Sequence, residues 1–169
     1  MPPMNESLQE LMSSLVPVAA LVPLTDEALH ALPNEQMRRG LVGINVLPFR
    51  IGRESRIYHD EKTGAVHRLE RYKPGAHEPN NDLYLLDDGH LLNVSREHLQ
   101  IVRRDDGFHV VDRKSACGFA VDGRHVGGDA AGGEAPIANG QELLIGSTVS
   151  PYRYRFIDFS GFEVTRRNG

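Results

Sequence analysis

The chain has 169 residues, of which 40% are hydrophobic and 25% charged, which suits one soluble, folded domain of ordinary size with residues to spare for an arm or an insertion. Its net charge of −4 excludes non-specific nucleic-acid binding through a global positive field, while leaving room for a local basic pocket. A single cysteine, Cys117, excludes an internal disulfide and a cysteine-based zinc site and fits a reducing compartment. No basic leader opens the chain, and its longest apolar run, residues 15–24, is broken by prolines and too short to span a bilayer, so a cytoplasmic location with no membrane partner is expected.

Residues 1–40 read as a helical N-terminal extension. Ser7-Leu8-Gln9-Glu10 has the form of a capping box, and Leu8, Leu11, Met12, Leu15 and Val16 follow on one helical face until Pro17 stops the helix. Thr25-Asp26-Glu27 is a second start signal, a side-chain cap followed by acids where the helix dipole favours them. Ala28, Leu29 and Leu32 follow, Pro33 ends that helix, and residues 34–40 add a short turn. Short helices need something to cover their apolar face. The extension is therefore expected either to pack on the main domain or to serve, through residues 5–32, as a docking arm for a partner or a second copy.

From Gly43 the apolar period becomes two, and residues 41–160 read as a β-sandwich of short antiparallel strands. Ile44, Val46, Phe49 and Ile51 alternate with polar or small residues, and Pro48 suits a strand edge or turn. Residues 56–80 form an insertion longer than an ordinary loop, folding as a hairpin of 56–59 and 65–72 around a turn at 60–64. It is either a tolerated insertion or an added wall of a binding site, using Arg68, Arg71 or Tyr72. Strands are expected at 83–86, 99–103 and 108–111, the last two joined through Asp106-Gly107, then in a tight hairpin at 121–126. Residues 127–136, rich in glycine, read as a flexible loop; 142–145 and 152–159 read as closing strands, and 161–169 as a tail.

Two strand edges carry the chemistry. Phe49-Arg50-Ile51-Gly52-Arg53 ends on an arginine, whose planar fork of N–H groups fits phosphate oxygens. Asn93-Val94-Ser95-Arg96-Glu97-His98 supplies a short rotatable hydroxyl at Ser95 and a histidine able to pin that loop to its strand. Arg53 in a surface ion pair and Ser95 as a turn-capping hydroxyl are the plainer alternatives. His59, His67 and His77 lack the spacing of a metal set. No phosphate-binding glycine fingerprint and no nucleophile motif is present, so no metal, cofactor or catalytic activity is expected.

These blocks resemble the forkhead-associated (FHA) domain, a β-sandwich that binds phosphothreonine peptides. Its Gly-Arg pair is similar to Gly52-Arg53, its Ser-x-x-His to Ser95-Arg96-Glu97-His98, its third block to residues 112–123, and its late turn and strand to residues 139–146. The resemblance implies phosphopeptide contact by Arg53, Ser95, Arg96, Lys114 and Ser115, with Gly52, His98 and Gly118 supporting the site. Where the family offers a hydroxyl residue and then an asparagine to hold the peptide backbone, this chain has Ala116 and Cys117. The function implied is recognition of phosphothreonine proteins in signalling or assembly. The alternative is a scaffold or dimerisation module on the same fold that no longer requires phosphate.

Overall fold

The structure, a computed structural model, describes residues 15–53, 57–59, 62–64, 66–68 and 79–162, with the backbone alone described at 57–59 and 66–68. The capping box at residues 7–10, Arg71, Tyr72 and the tail from 163 lie outside these residues, as does the Arg68 side chain. Two sheets face each other across one hydrophobic core. Among the described residues the first strand is β1 (Ala19–Pro23), followed by the short helix α1 (Asp26–Ala31), a 3₁₀ turn (Asn34–Gln36), β2 (Met37–Arg38) and β3 (Leu41–Ile44). Next come β4 (Phe49–Arg53), the insertion strands β5 (Ile57–His59) and β6 (Val66–Arg68), β7 (Leu83–Leu85), β8 (Leu99–Arg104) and β9 (Gly107–Asp112). The closing elements are β10 (Phe119–Val121), β11 (Arg124–Val126), β12 (Gly133–Ile137), β13 (Glu142–Ile145) and β14 (Arg153–Asp158).

One sheet runs β11-β10-β13-β14-β1-β3-β2, all antiparallel; the other runs β12-β9-β8-β4-β7. Alternation sets which side chains enter the core. In β14, Tyr154 and Phe156 point inward while Arg153 and Arg155 point out; in β9, Phe108 and Val110 are buried on alternate positions. Phe108 and Phe156 meet edge to face across the sheets, centroids 5.2 Å apart. Helix α1 starts as its sequence predicts, with Thr25 Oγ1 accepting from the Ala28 N–H at 3.1 Å, and buries Ala28 and Ala31. Tyr154 fastens it by donating its hydroxyl to the Ala28 carbonyl at 3.1 Å. Among the described residues no helix is long and apolar enough to cross a membrane.

The structure corrects three expectations. Residues 19–40 are not a helical extension: β1 lies in the middle of the larger sheet, between β14 and β3, and Ala19 and Leu21 are fully buried. Ala19-Ala20-Leu21-Val22 is apolar at every position and so shows no period-two pattern, the signature of a strand covered on both faces. Residues 19–32 are consequently part of the core and not available as a docking arm, and the sandwich begins well before residue 41. Residues 133–137 are no loop but the edge strand β12, paired with β9 from Gly133↔Asp112 to Ile137↔Phe108. Pro136 fits there because an edge strand needs partners on one side only. Finally, not every pair is antiparallel: β7 runs parallel to β4, with Ile51 beside Leu83 and Arg53 beside Leu85.

The insertion explains that parallel pair. A chain leaving the end of β4 must travel back along it before starting β7, so a long connection is required. Within it β5 and β6 pair antiparallel, Ile57↔Arg68 to His59↔Val66, as a small sheet of their own.

Candidate functional site

The end of β4, the 93–98 loop and the 113–118 loop converge at one end of the sandwich. Arg53, the last residue of β4, lies on the same side of the pleat as Phe49 and Ile51 but beyond the core they fill. Its main-chain N–H donates to the Ser95 carbonyl at 2.9 Å, which sets the two residues side by side. The Ser95 hydroxyl oxygen accepts the Ala116 N–H at 3.0 Å. That bond occupies a lone pair and leaves the hydroxyl proton available for donation.

His98 holds the loop in this shape. Its main-chain N–H donates to the Ile51 carbonyl at 3.0 Å, and its Nδ1 accepts the Ser95 N–H at 2.9 Å. The proton therefore sits on Nε2, which donates to the Gly118 carbonyl at 2.7 Å. One buried ring thus ties the Ser95 loop to the loop that carries Ala116. Burial pushes the His98 imidazole below its ordinary pKa; the Gly118 carbonyl and the carboxylates of Asp112 and Asp87 pull the other way without reversing it.

Gly52 and Gly118 are where these loops come closest to backbone. A Cβ on Gly52 would fall on the Arg96 carbonyl oxygen and the Asn81 side-chain amide. Gly118 has φ 68°, and a Cβ there would overlap the Val126 carbonyl oxygen. Arg96, next to Ser95 in the chain, and Lys114, two residues before Ala116, are both exposed, and Lys114 is held at φ 61°, in the left-handed region. Ala116 is exposed and Cys117 half-buried, its thiol 3.6 Å from the Leu92 carbonyl.

Ser115 requires a correction. It is fully buried and is not positioned to touch a ligand: its hydroxyl donates to Asp112 Oδ1 at 2.5 Å and accepts the Gly118 N–H at 2.8 Å, while its own N–H donates to Asp112 Oδ2 at 3.2 Å. Asp112 ends β9 on the core-facing side of the pleat, so the Ser115 side chain turns inward to meet it. Its work is to fold the loop that presents Ala116.

A platform beneath the site went unread in the sequence. Asn81 is buried; its Nδ2 donates to the Arg96 carbonyl at 2.6 Å, and its Oδ1 accepts from Arg113 Nη1 at 2.7 Å. Arg113 also donates to the Asn80 carbonyl at 3.1 Å and pairs with Glu97 at 2.9 Å. Burial lowers the Arg113 pKa, and the Glu97 carboxylate opposes that. Arg50 and Asp82 add a forked ion pair tying β4 to the start of β7. Burial alone would raise the Asp82 carboxyl, but the hydrogen bonds and charge of Arg50 hold it below its usual value. No sequence pattern marks Asn81; it sits in a Pro-Asn-Asn loop that reads as an ordinary turn.

A hydroxyl poised to donate, beside an arginine and two exposed cations, can receive an anion with several acceptor oxygens. Among the described residues no cluster of three His, Cys, Asp or Glu side chains could hold a metal ion.

No curated protein matches the chain significantly. Among solved structures it is similar to Mycobacterium tuberculosis EmbR in complex with a low-affinity phosphopeptide, at 17% identity and a TM-score of 0.47. That match covers 95% of this chain and 31% of EmbR, so the chain spans about a third of that protein's length. The FHA domain model matches residues 49–146, more than half of the 169 residues and the span that holds Arg53, Ser95 and His98. The chain belongs to the FHA domain family.

Proposed function

We propose that this domain is a non-catalytic recognition module that binds phosphothreonine in a partner protein, in phosphorylation-dependent signalling or assembly. Arg53 and Ser95 grip the phosphate, and Arg96 and Lys114 add charge at its margin. The observation that carries this reading is that the Ser95 hydroxyl oxygen accepts the Ala116 N–H, with Ser95 set next to Arg53 by a main-chain bond. A phosphothreonine brings close to two negative charges and three acceptor oxygens at neutral pH. Each charge-assisted bond to it contributes about 1.5–3 kcal/mol. With Ala116 and Cys117 in place of donor side chains, the grip on the peptide backbone is weak, and an affinity of roughly ten micromolar or weaker is expected, about −7 kcal/mol.

Fluorescence anisotropy with phosphothreonine, phosphoserine and unphosphorylated peptide pools tests it. Arg53→Ala is expected to cost at least about tenfold in affinity and Ser95→Ala somewhat less, since about 1.4 kcal/mol is a factor of ten. Both losses shrink at high salt as exposed charges are screened. Equal binding of phosphorylated and plain peptides, indifferent to Arg53→Ala, would leave a phosphate-independent scaffold as the function.

A further inference from the structure

On the flank of the sandwich, α1 and the segment after β7 enclose a groove. The Leu86 N–H donates to the Ala31 carbonyl at 2.9 Å, which holds the two segments side by side. Between them lies a cavity of about 150 Å³ lined by Glu27, His30, Ala31, Leu86 and Asp88. Its apolar lining is Ala31 and Leu86, and Leu86 leaves 48% of its surface in water. The frame around it is fixed on both sides. Asp87, between Leu86 and Asp88, is buried and accepts the Asn93 and Val94 N–H groups at 2.7 and 2.9 Å and the Tyr152 hydroxyl at 2.8 Å. Tyr154 holds the helix through the Ala28 carbonyl. A concave aliphatic surface on an anchored frame is one that a partner group can dry without remodelling it.

The polar side chains lining the groove are all acceptors. Glu27 and Asp88 are exposed carboxylates, and among the described residues neither is in an ion pair. His30 spends its Nδ1–H on the Asp26 carbonyl at 2.8 Å, which leaves Nε2 of the neutral ring an acceptor. Burial and the Asp87 hydrogen bond raise the pKa of the Tyr152 hydroxyl, and the charges of Asp88 and Glu27 push it the same way, so the field here is negative.

We propose that this groove receives a lysine or arginine side chain of a partner protein, its alkyl stem against Leu86 and Ala31 and its charged head on Glu27 and Asp88. A cavity of this volume takes a group the size of benzene, which is the scale of one such side chain. Basic side chains lay their stems along apolar surface and keep their heads among polar groups. Charge complementarity selects this occupant: an acidic one would be repelled, and a purely aliphatic one would desolvate the carboxylates without pairing them. The groove is built on α1, which precedes the family span of residues 49–146, and none of its residues belongs to the phosphate cradle. It therefore stands apart from the phosphothreonine reading.

The test is a titration of the isotope-labelled full chain with the capped peptide Gly-Gly-X-Gly-Gly, X being Arg, Lys, norleucine or Glu, followed by amide NMR at constant ionic strength. The Arg and Lys peptides are expected to shift the Ala31, Leu86 and Asp88 amides saturably in the millimolar range, at least about tenfold more tightly than the norleucine and Glu peptides, the scale of one charge-assisted bond. Glu27→Gln with Asp88→Asn is expected to bring the Arg peptide down to the norleucine level. Equal binding of the Arg and norleucine peptides overturns the proposal, as does Arg binding that the double variant leaves intact. Shifts of the same amides on diluting the chain alone, with no response to the Arg peptide, assign the groove to a second copy and overturn it too. No arm of the test uses phosphate, so its failure is distinct from a failure of the phosphothreonine reading. The wild-type comparison of Arg with norleucine is decisive by itself, so a variant that fails to fold does not shelter the idea.

Discussion

His98 carries more of the site than any other single side chain, because its two nitrogens hold two loops and only one protonation state does both. Nδ1 must lack a proton to accept from Ser95, and Nε2 must carry one to donate to Gly118. An added proton on Nδ1 would face the Ser95 N–H and break the bond that fixes the hydroxyl. The folded pKa is lowered from 6.5 by burial, so between the folded value and 6.5 the unfolded chain binds more protons and stability rises with pH. The contribution is complete above about pH 6.5 and is lost as pH falls below it, at up to about 1.4 kcal/mol per pH unit. Urea midpoints measured from pH 5 to 8 are expected to fall on the acid side for the wild type and less steeply for His98→Gln; parallel slopes would show that His98 does not titrate differently on folding. Sequence spacing made Arg53, Ser95 and His98 legible, since a motif fixes which residues approach. It did not give the orientation of Ser115, whose hydroxyl donates to the buried Asp112, nor the Asn81–Arg113 platform, which exists only once the ends of β4 and β9 flank the start of β8.

At the scale of elements, local pattern succeeded where one face of a strand is wet and failed where neither or both are. β4, β9 and β14 alternate and were readable; β1 is apolar throughout and β12 opens on a glycine and holds a proline, so neither shows a period. The β5–β6 hairpin was readable from its turn, and its independence from both large sheets leads to a prediction. Among the described residues it pairs only with itself, while Asn80, Asn81 and Asp82, which lie beyond it, make the bonds that matter to the site. Replacing residues 58–75 with a Gly/Ser linker of about eight residues, long enough to run back along β4, should leave the melting temperature within a few degrees, about what 1 kcal/mol shifts in a domain this size. Calorimetry of the excised variant checks this, and loss of a cooperative transition would show that the insertion buries core surface.

For the molecule as a whole, the site and the fold it needs occupy different stretches of chain. Every residue proposed to touch the phosphate lies between 53 and 114, yet the larger sheet is closed by β1 and β3 from the N-terminal side and by β14 from the C-terminal side. Sequence pattern named β3 and β14 only singly and missed β1, because nothing local to residues 19–23 announces that their partner is residues 154–158. A fragment of residues 45–150 therefore retains the whole candidate site and nearly all of the family signature, but loses β1, α1, β2, β3 and β14. It leaves the β13 edge without its β14 partner and uncovers Phe108 of β9, against which Phe156 packs, and it removes Tyr154 and Phe156, both fully buried, from the core. Truncating one aromatic of that size in a core costs about 3–5 kcal/mol, against a total of about 5–15 kcal/mol for a domain. Loss of both, together with Leu21, Val42 and Ile44, exceeds what the fold has in reserve. The fragment is expected to show no cooperative unfolding by circular dichroism, poor amide dispersion by NMR and no phosphothreonine-dependent binding, whereas residues 1–162 retain all three properties. Phosphopeptide affinity of the fragment within about tenfold of the full chain would show that the loops hold their shape without β1, β3 and β14, and that these strands are not what positions Ser95 against Arg53.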